Sequence, residues 1–130
     1  LPGIPLAIAL PGLDFTLLDK VAKKTAFLQQ AKLELGLQNV EIVQARVEDC
    51  RAAPFDVIVA RAFSSLADLV RLTRPLLIPA GCWYAMKGAL PSSEIKELDD
   101  LRLPVRVMRT VKLRVPLLDA ERHLVLIEPL

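Results

Sequence analysis

Apolar and polar positions alternate along the chain in blocks that predict helices and strands. The spacing of apolar residues predicts helices over residues 4–10, 21–35, 65–74 and 92–101. Apolar or alternating runs predict strands over residues 15–18, 40–45, 55–60, 82–88, 104–115 and 122–128. Because helices and strands alternate over most of the chain, we expect an α/β fold with a mostly parallel sheet and an antiparallel strand pair at its C-terminal end.

Two of the predicted strands are predominantly apolar, and one predicted helix has an apolar side. The run at 15–18 is typical of a strand buried on both faces of a sheet, and the run at 55–60 predicts a strand that is more buried than the one at 40–45. In the helix at 21–35, the apolar residues that share one side are Val21, Leu28, Ala31 and Leu35, with Phe27 beside them. Gly36 follows and is predicted to cap this helix.

No helix is predicted between residues 45 and 55, which interrupts the alternation. Parallel neighbours in a sheet need a crossover connection of a dozen or more residues, usually a helix. We therefore expect the strands at 40–45 and 55–60 not to be neighbours in the sheet.

The chain opens on LPGIPLAIAL, a Pro-Gly loop that leads directly into the first helix. In open parallel sheets the first strand and the glycine-rich turn after it form the middle of the ligand site. We expect both to lie upstream of Leu1, which would be the last part of that loop. Since a sheet without this strand leaves buried N–H and C=O groups unpaired, we expect the 130-residue chain to fold poorly alone.

Composition and charge narrow the class of protein. The chain has 130 residues, 53% of them hydrophobic, and no window approaches the roughly 18 uninterrupted apolar residues of a membrane span. The prolines of the opening segment are atypical of a signal peptide. Cys50 and Cys82 lie far apart and His123 is the only histidine, so neither a disulfide framework nor a metal site is indicated. We expect a cytoplasmic, monomeric protein without a metal or a membrane anchor.

Charged side chains lie at the ends of predicted strands, where α/β folds build their sites. Asp19 would receive the ribose hydroxyls of a dinucleotide or of S-adenosylmethionine, or alternatively would cap the next helix. Glu48 would contact the adenine end of the same ligand, or alternatively is a solvated loop acid. Arg61 and Lys87 end two further strands, and two such cations suit a partner that carries phosphate groups. Alternatively, Arg61 forms an ion pair on the surface.

The strand at 104–115 is basic. Residues 101–115 contain no acid and five cations, namely Arg102, Arg106, Arg109, Lys112 and Arg114. The apolar residues of the strand are Val105, Val107, Val111, Leu113 and Val115, which predicts one core face and one basic face. The basic face would bind phosphate backbones, or alternatively protect an edge strand from aggregation. We interpret His123 as a structural residue, because no Ser/His/Asp or Cys/His set surrounds it.

Six segments of the chain share their order and composition with a known family. They are LPGIPLAIA, TLLDK, QARVED, FDVIVARAFSSL, WYAMKG and VPLLDAERHLVLIE, and they run from Leu1 to Glu128. In these segments the chain resembles the family of ribosomal RNA small subunit methyltransferase G, also called glucose-inhibited division protein B (GidB). The resemblance implies a Rossmann-like methyltransferase fold, of which residues 1–130 would be a single, partial class I domain.

The resemblance also implies a reaction and a set of site residues. The reaction is the transfer of a methyl group from S-adenosylmethionine to N7 of one guanine in the 16S ribosomal RNA of the small ribosomal subunit. On the cofactor side, Leu1 would lie at the end of the glycine-rich loop and Asp19 would hold the ribose. Val47 and Glu48 would lie beside the adenosine, and Arg61 would belong to the same pocket. The positions on the RNA side would be Lys87, Arg122 and His123. No catalytic base is expected, because guanine N7 already carries a lone pair.

Two other functions are compatible with the residues. A nicotinamide-dependent oxidoreductase shares the sheet and would use Asp19 equally well, although such enzymes usually need a further catalytic domain. A non-catalytic RNA-binding or ribosome-assembly module would use the basic strand and leave the cofactor pocket degenerate.

Overall fold

The structure, a computed structural model, describes residues 3–51, 54–61, 64–114 and 121–130. The chain divides into two compact units, Leu1–Arg51 and Ala52–Leu130. All the predicted helices and strands are present in the predicted order, so the expectation of an α/β fold is confirmed. Val115, predicted to end a strand, lies outside the described residues.

The first unit consists of two parallel strands with two helices packed against them. Its elements are α1 (Gly3–Ala9), β1 (Phe15–Asp19), α2 (Ala22–Leu35), β2 (Val40–Gln44) and a short 3-10 helix, Val47–Asp49. Asp19 lies opposite Gln44, so β1 and β2 end side by side. Gly36 ends α2 as predicted, at a φ of 63°, a left-handed conformation that glycine adopts without steric strain.

Asn39 anchors the end of α1 to the start of β2. Its side-chain amide donates hydrogen bonds to the carbonyl oxygens of Ala7, Leu10 and Leu13, at 3.2, 3.3 and 2.9 Å. The last carbonyl groups of a helix have no partner within the helix, and a side-chain donor can satisfy them. Asn39 therefore fixes the loop that connects α1 to β1.

The second unit is built on a sheet in which the strands follow the order β3-β4-β6-β5. Its elements are β3 (Phe55–Arg61), α3 (Leu66–Thr73), a 3-10 turn (Arg74–Leu76), β4 (Leu77–Lys87), α4 (Ser92–Asp100), β5 (Val105–Leu113) and β6 (Arg122–Pro129). β3 and β4 are parallel, whereas β6 is antiparallel to both β4 and β5. Because β2 and β3 belong to different sheets, the expectation that they are not neighbours is confirmed.

The two faces of this sheet differ in what covers them. Residues paired across strands share a face, and the inner face carries Ile58, Ala60, Trp83, Ala85, Val105, Val107, Val125 and Ile127. These residues pack with apolar residues of α3 and α4, namely Leu66, Ala67, Leu69, Val70, Ile95 and Leu98, to form the core. The outer face carries Val57, Val59, Tyr84, Met86, Leu124 and Leu126. The core of the second unit therefore lies on one side of its sheet.

Two predictions about burial are wrong: that the strand at 15–18 is buried on both faces, and that the strand at 55–60 is more buried than the one at 40–45. In β3, Val57 and Val59 are 43% and 38% exposed, because the core helices α3 and α4 cover only the inner face. Every residue of β1 is half-buried, since among the described residues β1 pairs only with β2. The further strand expected upstream of Leu1 stays a prediction.

The apolar side predicted for α2 is narrower than expected. Leu28 and Ala31 are half-buried, but Phe27 is 64% and Leu35 is 53% exposed, and Val21 is exposed as well. The buried residue of this helix is Thr25, one turn before Leu28, so the inner stripe follows Thr25, Leu28 and Ala31.

β5 carries a bulge at Met108 that changes the alternation of its faces. Val107 and Arg109 pair with consecutive residues of β6, so Met108 has no partner. Beyond the bulge, Lys112 lies opposite His123 on the inner face. The prediction of one core face and one basic face is therefore wrong beyond Met108, because the extra residue shifts the alternation by one position.

Candidate functional site

Asp19 stands at the carboxyl end of β1, and its surroundings fix its orientation. Its Oδ1 accepts a hydrogen bond from the N–H of Val21 at 2.8 Å, and its backbone oxygen accepts one from the N–H of Ala45 at 3.1 Å. The N-cap of α2 is Val21, so the alternative interpretation of Asp19 as the helix cap is wrong. Among the described residues Oδ2 has no hydrogen-bond partner, which leaves an acceptor for the hydroxyl groups of a ligand.

Val47 and Glu48 follow the end of β2, in the 3-10 helix Val47–Asp49. Val47 is half-buried and Glu48 is exposed. The backbone oxygen of Glu48 accepts a hydrogen bond from the guanidinium of Arg51 at 3.3 Å, while its carboxylate has no partner among the described residues. The apolar side chain of Val47 and the carboxylates of Asp19 and Glu48 follow neighbouring strand ends. This combination suits a ligand that carries a ribose and an aromatic base. Within the described part of the chain, the first unit therefore presents an unpaired carboxylate oxygen of Asp19 and the Glu48 carboxylate at its strand ends. Leu1, the remaining predicted residue of this unit, lies outside the described residues.

The predicted residues of the second unit lie at one end of its sheet. Lys87 of β4 pairs with His123 of β6, and Arg61 pairs with Met86. Because β3 and β4 end where β6 begins, Arg61, Lys87, Arg122 and His123 belong to the same end of the sheet. The fold thus places at one end of the sheet four residues that lie far apart along the chain.

Arg61 is exposed and lies on the outer face, as its pairing with Met86 shows. It has no hydrogen bond or ion pair among the described residues. The alternative of a surface ion pair is therefore not found within the described part of the chain, and the guanidinium is available to an anionic ligand.

Lys87 is held by Glu94, a residue that the sequence analysis did not single out. The Nζ of Lys87 lies 2.9 Å from Oε1 of Glu94, and the two side chains are only 15% and 27% exposed. The same Oε1 accepts a hydrogen bond from the N–H of Leu66 at 3.0 Å. Glu94 lies in the first turn of α4, and no pattern in the sequence links it to Lys87. A phosphate group would have to share Lys87 with this carboxylate.

Ser64 and Ser65 lead into α3, which begins at Leu66. Ser65 is the N-cap, and its hydroxyl oxygen accepts a hydrogen bond from the N–H of Asp68 at 3.1 Å. The Ser64 hydroxyl donates to the carboxylate of Asp68. Together with the bond from Leu66 to Glu94, these contacts occupy amide groups at the start of α3. The serines therefore set the position of α3 directly after the end of β3.

His123 is buried, with its Nδ1 2.8 Å from the backbone oxygen of Gly88. A carbonyl oxygen only accepts, so Nδ1 carries the hydrogen and donates it. This bond ties the start of β6 to the loop after β4, which agrees with a structural interpretation of His123. The neighbouring Arg122 is half-buried, and its guanidinium donates to the backbone oxygen of Glu121 at 2.7 Å.

The described residues contain neither a metal-binding cluster nor a helix that could span a membrane. No three His, Cys, Asp or Glu side chains there are grouped so as to hold a metal ion. No helix in the described part of the chain is both long and apolar enough to cross a membrane.

Solved methyltransferases share this fold. The chain superposes on the mitomycin 7-O-methyltransferase MmcR with a TM-score of 0.76 and 16% identity, covering 98% of this chain and 45% of that one. It superposes on the O-methyltransferase NcsB1 of neocarzinostatin biosynthesis, solved with S-adenosyl-L-homocysteine, with a TM-score of 0.75 and 15% identity, covering 98% and 45%. These likenesses confirm the expected Rossmann-like methyltransferase fold.

Sequence comparison supplies the family. The chain is 50% identical over 129 residues to the ribosomal RNA small subunit methyltransferase G of Leptothrix cholodnii, and the match covers 99% of the chain and 58% of that relative. It therefore spans little more than half the length of this relative. The family model of rRNA small subunit methyltransferase G (GidB) matches residues 1–125. The chain belongs to the rRNA small subunit methyltransferase G family.

Proposed function

We propose that the protein transfers a methyl group from S-adenosylmethionine to N7 of a guanine in 16S ribosomal RNA, guanine 527 in the nomenclature of the family. The family membership carries this proposal. It is supported by the position of Asp19, whose unpaired carboxylate oxygen lies at a strand end. The comparisons do not support the alternative of a nicotinamide-dependent oxidoreductase.

The cofactor side of the proposed site is formed by residues at the strand ends. Asp19 would accept hydrogen bonds from the ribose hydroxyls through Oδ2, while Oδ1 stays bound to Val21. Val47 and Glu48 would lie beside the adenosine, with Val47 giving apolar contact. The guanidinium of Arg61 has no hydrogen bond or ion pair among the described residues, so it would bind a carboxylate or phosphate without losing an existing ion pair.

The reaction makes few chemical demands on these side chains. S-adenosylmethionine, when bound, supplies an electrophilic methyl group. Guanine N7 has a lone pair in the plane of the ring, so no residue of the chain has to remove a proton before attack. The residues contribute by alignment and by their electrostatic field. Glu94 neutralises Lys87, which limits the positive charge of the site where a cationic product base forms.

The proposed substrate is 16S ribosomal RNA, alone or within the small ribosomal subunit. N7 lies on the major-groove edge of guanine, which side chains cannot read inside the deep, narrow groove of an RNA helix. The target base therefore has to be unpaired or turned out of its stack.

Methyl transfer from labelled S-adenosylmethionine tests this proposal. The natural full-length protein is incubated with 16S ribosomal RNA or small subunits isolated from cells that lack it. We expect label in the RNA, 7-methylguanosine after digestion to nucleosides, and one modified position on mapping. Label on another atom or another RNA would contradict the proposed specificity. If neither the 16S ribosomal RNA nor the small subunits took up label, the proposed activity would be contradicted.

The basic residues of β5 favour a second candidate, a non-catalytic RNA-binding module. The variant Arg61→Ala distinguishes the two functions. If the protein is an enzyme, this variant loses methyl transfer while its affinity for RNA falls only modestly. An equal loss of both, or no methyl transfer by the unaltered protein, would favour the binding module.

A further inference from the structure

We propose that the exposed edge of β5 binds the phosphate backbone of the RNA substrate, through a basic edge formed by Arg109, Lys112 and Arg114. This inference rests on the proposed function and adds to it the surface that positions the RNA. The three side chains are exposed and have no hydrogen bond or ion pair among the described residues. By contrast, Arg106 of the same strand is paired with Glu128 of β6. The free positive charge is therefore concentrated in the second half of the strand.

The position of β5 in its sheet makes this charge accessible. β5 is the last strand in the order β3-β4-β6-β5 and pairs only with β6 among the described residues. The free edge of a strand presents both N–H donors and C=O acceptors, and its N–H groups can donate to phosphate oxygens. An RNA phosphate at this edge can therefore contact backbone N–H groups as well as the three cations.

Arg109 and Lys112 lie on opposite faces of the sheet, and the bulge at Met108 decides which face each of them occupies. Arg109 pairs with Leu126 and so lies on the outer face, whereas Lys112 pairs with His123 and lies on the inner face. An RNA strand that follows the edge of β5 would meet a cation on each side. In a regular strand the two residues would also lie on opposite faces, but Arg109 would share the inner face with Val107 and Lys112 would lie on the outer face.

The basic edge belongs to the same end of the sheet as the candidate site. Lys112, His123 and Lys87 are cross-strand neighbours on β5, β6 and β4. Two strand spacings separate β5 from β4, so the backbones of Lys112 and Lys87 are about 10 Å apart. From Arg109 to Arg114 the edge extends about 17 Å along the chain, a length that contacts several successive phosphates. RNA held on this edge would lie beside the strand ends that carry Arg61 and Lys87.

Protection of an edge strand against aggregation is the competing explanation of these cations. It predicts that their removal causes self-association but leaves the affinity for RNA unchanged. Binding of phosphates predicts a change in the salt dependence of RNA binding, since each phosphate contact contributes roughly 0.7 to 0.9 to the slope of log K against log salt.

The test compares two variants of the natural full-length protein that lose the same number of positive charges. The test variant is Arg109→Gln/Lys112→Gln/Arg114→Gln. The control variant, Lys23→Gln/Lys24→Gln/Arg71→Gln, removes three exposed cations of α2 and α3. The affinity for a fragment of 16S ribosomal RNA is measured at several salt concentrations, with S-adenosylmethionine binding and light scattering measured in parallel.

We expect the slope to fall by about 2 to 3 in the test variant and by less than about 0.5 in the control. Cofactor binding stays unchanged in both, and the KM for RNA rises in the test variant while kcat is kept. Four results would overturn the inference. In the salt dependence of RNA binding, they are an unchanged slope in the test variant or an equal fall of the slope in both variants. The other two are self-association of the test variant with intact RNA binding, and no RNA binding by the unaltered protein. RNA binding that depends on the basic edge, without methyl transfer, would support the inference while contradicting the proposed function.

Discussion

Lys87 and Glu94 join the end of β4 to the first turn of α4, with Nζ and Oε1 2.9 Å apart. The same carboxylate oxygen accepts the N–H of Leu66 at 3.0 Å, so it also holds the start of α3. Three elements of the second unit are thus fixed by one acidic side chain at the strand ends. The geometry of this end depends on Glu94 as well as on the cations that the sequence pattern identified.

Replacing Glu94 tests this dependence. Glu94→Ala leaves the largely buried Lys87 ammonium without this carboxylate and the Leu66 N–H without its acceptor, so we expect a loss of about 2 to 4 kcal/mol in the free energy of unfolding. Glu94→Gln keeps an acceptor for Leu66 and should lose about half as much. Urea unfolding provides the measurement. Glu97→Ala, an exposed acid of the same helix, is the control and should change stability by less than about 0.5 kcal/mol.

The hydrogen bond of Trp83 gives a prediction for the core. The indole N–H of the fully buried Trp83 donates to the Thr73 hydroxyl at 2.7 Å, and that hydroxyl donates to the backbone oxygen of Leu69. Thr73→Val keeps the volume but leaves the indole N–H unpaired, so we expect a loss of about 1 to 3 kcal/mol in the free energy of unfolding. Thr110→Val, at an exposed position, serves as the matched control. Equal free energies of unfolding of the two variants would contradict a stabilising role of the hydrogen bond between Trp83 and Thr73.

Asn39 gives the corresponding prediction for the first unit. Its amide donates to three backbone carbonyl oxygens around the end of α1. Asn39→Asp replaces the donor by an acceptor that faces the same carbonyl groups. We therefore expect the free energy of unfolding of the first unit to fall by about 1 to 3 kcal/mol. Hydrogen exchange of the amides of α1 and β1 measures the loss. Gln38→Glu, which adds the same charge at the exposed neighbouring position, should leave the exchange rates unchanged.

Tyr84 gives a prediction for pH dependence. The charge of Cys82, followed by burial and by a hydrogen bond to Cys82, raises the pKa of Tyr84 above its ordinary value of 10.0. Since the folded state disfavours the phenolate, the stability from this residue is complete below the ordinary pKa and is lost as the pH rises through the raised value. Ultraviolet titration of phenolate, with Tyr84→Phe subtracted, measures the pKa. We expect Cys82→Ala to move it back toward 10.0, and an unchanged pKa would contradict the assigned cause.

Order and type of the elements could be predicted from sequence because each is encoded locally. The apolar spacing located each helix and strand, and Gly36 identified the end of α2. Burial could not be predicted in the same way, because it depends on which helices cover which face. Val57 and Val59 are as apolar as a buried strand requires, yet they lie on the face opposite α3 and α4.

The candidate site was predicted in part. Asp19, Arg61 and Lys87 could be identified because strand ends are recognisable in the sequence. Glu94 could not be identified, because its contact with Lys87 arises only when α4 folds back onto β4. The position of Lys112 beside His123 depends on the bulge at Met108, for which the alternating pattern gave no signal.

Calorimetric titration of S-adenosylmethionine into the natural full-length protein tests most directly the claim that the strand ends form the cofactor site. The test variant is Asp19→Asn, which keeps an acceptor for the Val21 N–H but loses the charge and one acceptor. The control is Asp14→Asn, at the exposed opposite end of β1. We expect the unaltered protein and the control to bind alike, and the test variant about tenfold more weakly, a loss of about 1.4 kcal/mol. Equal binding by all three proteins, or no binding by the unaltered protein, would contradict the account.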